Sequence, residues 1–164
     1  MIILGLDPDR GYALVRRGII GDDGGYREND TQILAAGTVK GLTDLKKIII
    51  DCRRYARDDD IDFCDFTIRI ERPVNLKTFP RPGLSYAAMM KIAHNCGMNY
   101  QKATELGEYC TGMGLRCEFV TPAKKKWGKM PWKEFNRLTG YNGRTSEHSR
   151  DAIAIALHPI IRGK

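Results

Sequence analysis

The sequence lacks an apolar run of about 18 residues, the length that a transmembrane helix needs, so we expect no membrane partner. Met1 is followed by Ile2-Ile3-Leu4 without a charged n-region or a cleavage site, so we expect no signal peptide. The five cysteines include no C-x-x-C pair, which argues against a zinc site and against a disulfide framework. Free thiols indicate a reducing compartment, and we therefore expect a cytoplasmic protein.

The sequence does have an excess of positive charge. Lys and Arg number 27 against 20 Asp and Glu, which gives a net charge of +7 and a pI near 9.2. A basic surface attracts polyanions, of which nucleic acid is the usual one, although a basic protein need not have such a partner. The length of 164 residues fits a single domain spanning 1–164.

Hydrophobic periodicity predicts five strands and three helices. The predicted strands are 1–6, 11–17, 32–39, 66–71 and 117–120, and the predicted helices are 43–57, 85–112 and 145–161. We expect a loop or wide hairpin end at 18–30, a long Pro-rich loop at 73–84 and a basic irregular segment at 123–143. The order β-β-β-α-β-α-β-α predicts an α/β domain with a mixed five-stranded sheet flanked by helices. The right-handed crossover rule places the fourth strand beside the first.

Acidic side chains end two of the predicted strands. Asp7 follows an apolar strand, and Glu71 ends another. Asp151 lies on the last helix, three residues after His148, so these two share a helix face. Three carboxylates that converge would repel one another, and a bound Mg²⁺ would relieve that repulsion because hard cations take oxygen ligands.

Each of these residues also has a structural explanation. Asp7 before Pro8 is typical of a turn, and Glu71 followed by Arg72 is typical of an ion pair at a strand end. Acidic residues in the first turn of a helix interact favourably with its dipole. The joint order of these residues along the chain carries more information than any one of them.

That order resembles the RuvC-like Holliday junction resolvases of the RNase H-like superfamily. The opening IILGLDP followed by GYALV is similar to the first strand pair of the family, and ILAAGTV is similar to its third strand. IRIERP is similar to its glutamate strand, and HSRDAIAIAL is similar to its closing helix. The resemblance covers nearly the whole chain and implies an RNase H-like fold. The glycine-rich stretch 18–30 is untypical and fits a diverged bacterial or phage-encoded member.

The resemblance implies a catalytic site that holds Mg²⁺, or Mn²⁺ in its place, with two ions per site. Its metal-binding residues would be Asp7, Glu71, His148 and Asp151, with His148 either ligating the metal or positioning the attacking water. VTPAKKKW matches the basic segment of the family, in which Lys126 would contact phosphate or stabilise charge during cleavage. A solvated basic loop is the structural explanation of this segment. The further DNA-binding candidates are Lys77, Phe79, Arg81, Lys124, Lys125, Lys129, Lys133, Arg144 and Arg150.

Two features depart from the family pattern. Asp9 and Arg10 follow Asp7-Pro8 where small residues are usual, so Asp9 either adds an acidic neighbour to the site or faces solvent. Pro73 stands near the position of the aromatic residue that wedges into a junction, and the nearest aromatic residue in that loop is Phe79.

The resemblance implies a Mg²⁺-dependent endonuclease that nicks four-way or other branched DNA. Two symmetric nicks need two active sites, which a homodimer would supply, and segment 85–112 is the expected dimer face. Core packing within one chain is the alternative use of that segment. The rival functions are a non-cleaving DNA-binding module, an RNase H acting on hybrids and an actin-like ATPase. The ATPase would need a second lobe and a second phosphate loop, for which 164 residues leave no room.

Overall fold

The computed structural model describes residues 1–20, 26–58, 66–72, 82–121 and 129–157, and for 19–20, 26–30 and 58 it describes the backbone alone. The strands are β1 (Ile2–Asp7), β2 (Gly11–Ile20), β3 (Tyr26–Thr38), β4 (Phe66–Glu71) and β5 (Arg116–Val120). The helices are α1 (Leu42–Asp58), α2 (Tyr86–Gly112), α3 (Trp132–Thr139) and α4 (Glu147–Leu157). None of these helices is long and apolar enough to cross a membrane.

The strands form one mixed sheet in the order β3-β2-β1-β4-β5. β1, β2 and β3 form an antiparallel meander, whereas β4 lies parallel to β1 and β5 parallel to β4. Both the mixed five-stranded sheet and the position of the fourth strand beside the first are as predicted from the sequence. The carboxyl ends of β1, β4 and β5 therefore meet at one edge of the sheet.

One face of the sheet is covered by α1 and α2. Leu4 and Leu6 of β1 alternate with residues of the opposite face and enter a buried cluster with Ile68 and Ile70 of β4. From the helices this cluster receives Leu45, Ile49, Ala103, Leu106 and Cys110. Full burial of each large aliphatic side chain contributes about 1.5–3 kcal/mol, so this layer is a main source of stability.

The other face is covered by α4. Ile3 and Val15 pack against Ala156, and Ala13 packs against Ala152 and Ile153 of the helix. Phe135 of α3 joins the second of these groups, so α3 also belongs to this layer.

The structure corrects several local predictions. The segment 18–30 is not wholly a loop, because β2 continues to Ile20 and β3 begins at Tyr26. The segment 123–143 is not wholly irregular, since it contains α3, which ends at Gly140 in the left-handed conformation. α2 is one continuous helix that neither Gly97 nor Gly107 interrupts.

The helix boundaries also differ from the prediction. Thr43 does not cap α1, because it lies inside the first turn of a helix that begins at Leu42. α4 begins at Glu147 rather than at 145. The residues of the predicted final helix after Leu157 lie outside the described part of the chain.

Candidate active site at the carboxyl edge of the sheet

Asp7 is the last residue of β1 and is only 6% exposed. Alternation along the strand directs its side chain to the α4 face, as for Ile3 and Gly5. One carboxylate oxygen, Oδ1, accepts a 3.0 Å hydrogen bond from the backbone N–H of Asp9. A buried carboxylate needs such partners because burial without them is costly.

His148 lies in the first turn of α4, and that turn is fixed by reciprocal serine caps. The backbone N–H of Ser149 donates to Ser146 Oγ at 3.1 Å, and the N–H of Ser146 donates to Ser149 Oγ at 2.8 Å. This is a capping-box arrangement, which satisfies N–H groups that a helix start leaves unpaired. The capped turn sets the direction from which His148 meets the sheet.

His148 and Asp7 are in direct contact. The ring nitrogen Nδ1 lies 2.8 Å from the carboxylate Oδ2 of Asp7. Glycines permit this close approach of α4 to the sheet. A Cβ on Gly11 would lie 2.2 Å from the carbonyl oxygen of His148, and one on Gly5 would lie 2.2 Å from that of Ala152.

Glu71 lies beside Asp7 at the same edge. Leu6 of β1 pairs with Ile70 of β4 in parallel register, so the residues that follow them, Asp7 and Glu71, are also neighbours. Neighbouring residues of parallel strands point to the same face, which is the α4 face here. Asp151 is half-buried on α4, three residues beyond His148. The four residues selected from the sequence thus belong to adjoining ends of β1, β4 and α4.

These residues have the donor chemistry of a site for a hard divalent cation. Three of them are carboxylates, which supply the oxygen ligands that Mg²⁺ prefers. Among the residues that the structure describes, however, no three His, Cys, Asp or Glu side chains are grouped so that they could hold a metal ion together. In this conformation Asp7 instead engages His148. Metal binding by the four residues therefore remains a prediction.

Asp9 and Lys102 extend the site toward α2. Lys102 Nζ lies 3.2 Å from Asp9 Oδ1, and Asp9 Oδ2 lies 3.7 Å from Nε2 of His148. Asp9 also has Arg10 Nε at 3.9 Å. Asp9 is therefore an acidic neighbour of the site, whereas nothing in the sequence pattern pointed to Lys102.

Arg69 fastens the far end of α4 to the sheet. It is a charged side chain that is only 1% exposed, and its Nη1 donates a 2.7 Å hydrogen bond to the carbonyl oxygen of Ala156. Its Nε lies 3.3 Å from Glu118 Oε2. Burial lowers the pKa of the Arg69 guanidinium, and Glu118 opposes that change. This hydrogen bond ties the last turn of the described part of α4 to β4.

Arg72, directly after Glu71, lies on the opposite face from α4. Its guanidinium carbon is 4.4 Å from the ring centroid of Tyr100 and 4.7 Å from that of Phe119. Arg72 and Phe119 line a cleft of about 360 Å³ between α2 and the sheet, together with Thr104, Glu108 and Cys117. The aromatic rings that Arg72 contacts are thus contributed by α2 and β5.

The residues predicted to contact DNA lie partly inside and partly outside the described structure. Lys129, Lys133 and Arg144 are exposed in the region of α3 and α4. Arg150 is half-buried, and its Nη1 donates to the carbonyl oxygen of Thr145 at 2.9 Å, so it also supports the start of α4. The remaining candidates lie outside the described residues: Lys77, Phe79, Arg81, Lys124, Lys125 and Lys126.

Comparison with known proteins gives a match at the level of structure. No protein-family model and no curated protein matches this sequence. Among solved structures, T. thermophilus RuvC in complex with Holliday junction substrate superposes with a TM-score of 0.53 and 16% sequence identity, covering 95% of this chain and 90% of that chain. A second Thermus thermophilus RuvC structure gives a TM-score of 0.50 and 15% identity, covering 95% and 91%.

The chain has the fold of RuvC. The mixed sheet and its flanking helices thus match the RNase H-like architecture that the sequence predicted. At this level of identity the likeness concerns the fold, and function has to be argued from the site.

Proposed function

We propose that this chain is a Mg²⁺-dependent endonuclease that nicks four-way junctions or related branched DNA by phosphodiester hydrolysis. The observation that carries the proposal is the contact between buried Asp7 and His148, beside Glu71 at the sheet edge. The RuvC-like fold supports the proposal, because one of the similar structures holds Holliday junction substrate. A pure DNA-binding protein gains nothing from acidic groups gathered where phosphates would approach.

Asp7, Glu71, His148 and Asp151 would hold the divalent ions. When bound, two ions would activate a water molecule and stabilise the leaving oxygen of the phosphodiester. Asp7 orients the ring of His148 through Nδ1, which leaves the Nε2 edge facing outward toward Asp9. A group held in this way can position water or a ligand without losing its orientation.

Basic side chains would hold the DNA through its phosphates. Exposed Lys129, Lys133 and Arg144 and the net charge of +7 support this contact. Lys126 and its basic neighbours are proposed to reach the cleaved strand. Because such binding releases counterions, affinity should fall steeply as salt rises.

A second copy of the chain would provide the second active site. The half of α2 before Ala103 contains no buried residue, yet it carries apolar side chains. Tyr86 is 75% exposed and Met90 is 52% exposed. A C2 homodimer that buries this half of α2 would place two equivalent sites on a near-symmetric junction.

The test is a cleavage assay on a synthetic four-way junction with each strand labelled in turn. We expect paired nicks with Mg²⁺ or Mn²⁺ and none with EDTA, and weaker or absent cleavage of linear duplex. Cleavage without divalent metal would refute the metal mechanism. Binding without cleavage under every metal condition would identify a DNA-binding module, and preferential cutting of RNA–DNA hybrids would identify an RNase H activity.

A further inference from the structure

Four side chains follow one another in a line across the carboxyl edge of the sheet: Asp7 of β1, His148 of α4, Asp9 of the β1–β2 turn and Lys102 of α2. Asp7 contacts Nδ1 of His148 at 2.8 Å, and Nε2 of the same ring faces Asp9 Oδ2 at 3.7 Å. The other oxygen of Asp9 is held by Lys102 at 3.2 Å. Lys102 comes from α2, so the line joins the helices on both faces of the sheet.

The two distances on the imidazole differ in kind. The 2.8 Å separation from Asp7 is a hydrogen bond, whereas 3.7 Å from Asp9 exceeds the range of about 2.7–3.2 Å for such bonds. Asp9 is therefore close to the ring but not bonded to it. The ammonium group of Lys102 pairs with the other oxygen of Asp9, Oδ1, and so attracts the carboxylate away from the ring.

We infer that Lys102 is a positioning residue: it holds the Asp9 carboxylate away from Nε2 of His148 and so keeps that edge of the ring open. The inference rests on the proposed function, in which the open edge serves the metal or the water. Among the residues that the structure describes, the other basic side chain paired with Asp9 is Arg10, at 3.9 Å and 53% exposed, and such an exposed pair holds a carboxylate weakly. Without Lys102, Asp9 would turn onto the ring.

This role can be tested by asking whether a second substitution, at Asp9, restores the cleavage rate that a substitution of Lys102 lowers. Lys102→Met should slow single-turnover cleavage of the junction by about 10- to 100-fold, as losses of supporting contacts do, while junction affinity stays unchanged. Adding Asp9→Ala to that variant should restore most of the rate, because the carboxylate that would close on the ring is gone. Lys102→Arg should retain most of the rate.

Lys46→Met is the matched control, since Lys46 also ties α2 to the body of the protein, through a 2.7 Å ion pair with Glu105. It should leave cleavage unchanged. If Lys102→Met weakened junction binding and Asp9→Ala did not restore cleavage, Lys102 would be a phosphate contact and the inference would be wrong. If Asp9→Ala alone abolished cleavage, Asp9 would itself serve the reaction, which also overturns the inference.

A spectroscopic measurement separates this role from the proposed function. In ring ¹H–¹³C NMR spectra at one fixed pH, Lys102→Met should shift the His148 signal and Asp9→Ala should reverse that shift. The signal is assigned with His148→Gln, and exposed His94 serves as the internal reference. If the chemical shift of the His148 signal does not change in Lys102→Met, the inference is wrong. A responsive signal in a protein that cleaves nothing supports the positioning and refutes the nuclease.

Discussion

Asp7 Oδ2 and His148 Nδ1 lie 2.8 Å apart although 141 positions separate the two residues in the chain. Asp7 occupies the end of a buried strand, and His148 occupies the capped first turn of α4. Their contact joins the start of α4 to the carboxyl end of β1.

The first prediction concerns the carboxylates. Asp7→Asn and Asp151→Asn should each lower cleavage by at least about 100-fold, the lower end of what a positioned acid, base or supporting ligand contributes. Junction binding should persist, because neither change removes a positive charge. The measurements are single-turnover cleavage and a gel-shift titration. Asp51→Asn, at an exposed position of α1, is the control and should cleave normally. Retained nicking in either site variant would remove the metal assignment.

The second prediction concerns the close approach of α4 to β2. In Gly11→Ala the new Cβ would lie 2.2 Å from the carbonyl oxygen of His148, so the helix must shift. We expect a loss of about 1–3 kcal/mol in the free energy of unfolding, as for other overpacked sites, together with slower cleavage. Chemical denaturation measures the first effect.

Gly41→Ala is the matched control for this change, because a Cβ at Gly41 would meet nothing within 4 Å. Equal stability of the two variants would show that α4 does not lie as close to Gly11 as described.

The third prediction concerns the buried guanidinium under α4. Arg69→Met keeps the length of the side chain but removes the hydrogen bond to the carbonyl oxygen of Ala156. The loss of a hydrogen bond from a charged group costs about 1.5–3 kcal/mol, which urea unfolding should detect. Arg116→Met is the control: its side chain is 61% exposed and also contacts Glu118, so it should change stability by less than about 0.5 kcal/mol.

The fourth prediction concerns two neighbouring thiols. Cys110 donates a hydrogen bond to Cys117, which stabilises the Cys117 thiolate and lowers the pKa of Cys117. The same bond and burial raise the pKa of Cys110, and burial raises that of Cys52 to about 12. Since the thiolate is the nucleophile, iodoacetamide at mildly alkaline pH should modify Cys117 before Cys110 or Cys52.

The order of modification can be read by peptide mass spectrometry. Cys110→Ala should slow the reaction of Cys117 by removing the donor that lowers its pKa. An unchanged rate in that variant would show that the thiol pair does not control the reactivity.

Local patterns account for much of what the sequence predicted. The alternating and apolar runs predicted β1 and β4, and the crossover rule predicted that β4 lies beside β1, as it does. α3 was missed because it is only eight residues long, although Pro131 before it and Gly140 after it are terminal signals of a helix. Gly107 lies inside α2 without breaking it, because its missing Cβ makes room for the ring of Phe119.

The sequence alone determined the fold class and the strand ends on which Asp7 and Glu71 lie, because hydrophobic periodicity and chain direction are local properties. Only the tertiary structure decided that His148 meets Asp7 and that Lys102 reaches Asp9, since both contacts depend on how α4 and α2 dock on the sheet. The docking of each helix depends on packing between segments far apart in the chain, such as α4 against Gly5 and Gly11. Hydrophobic periodicity does not contain information on the distances between such segments.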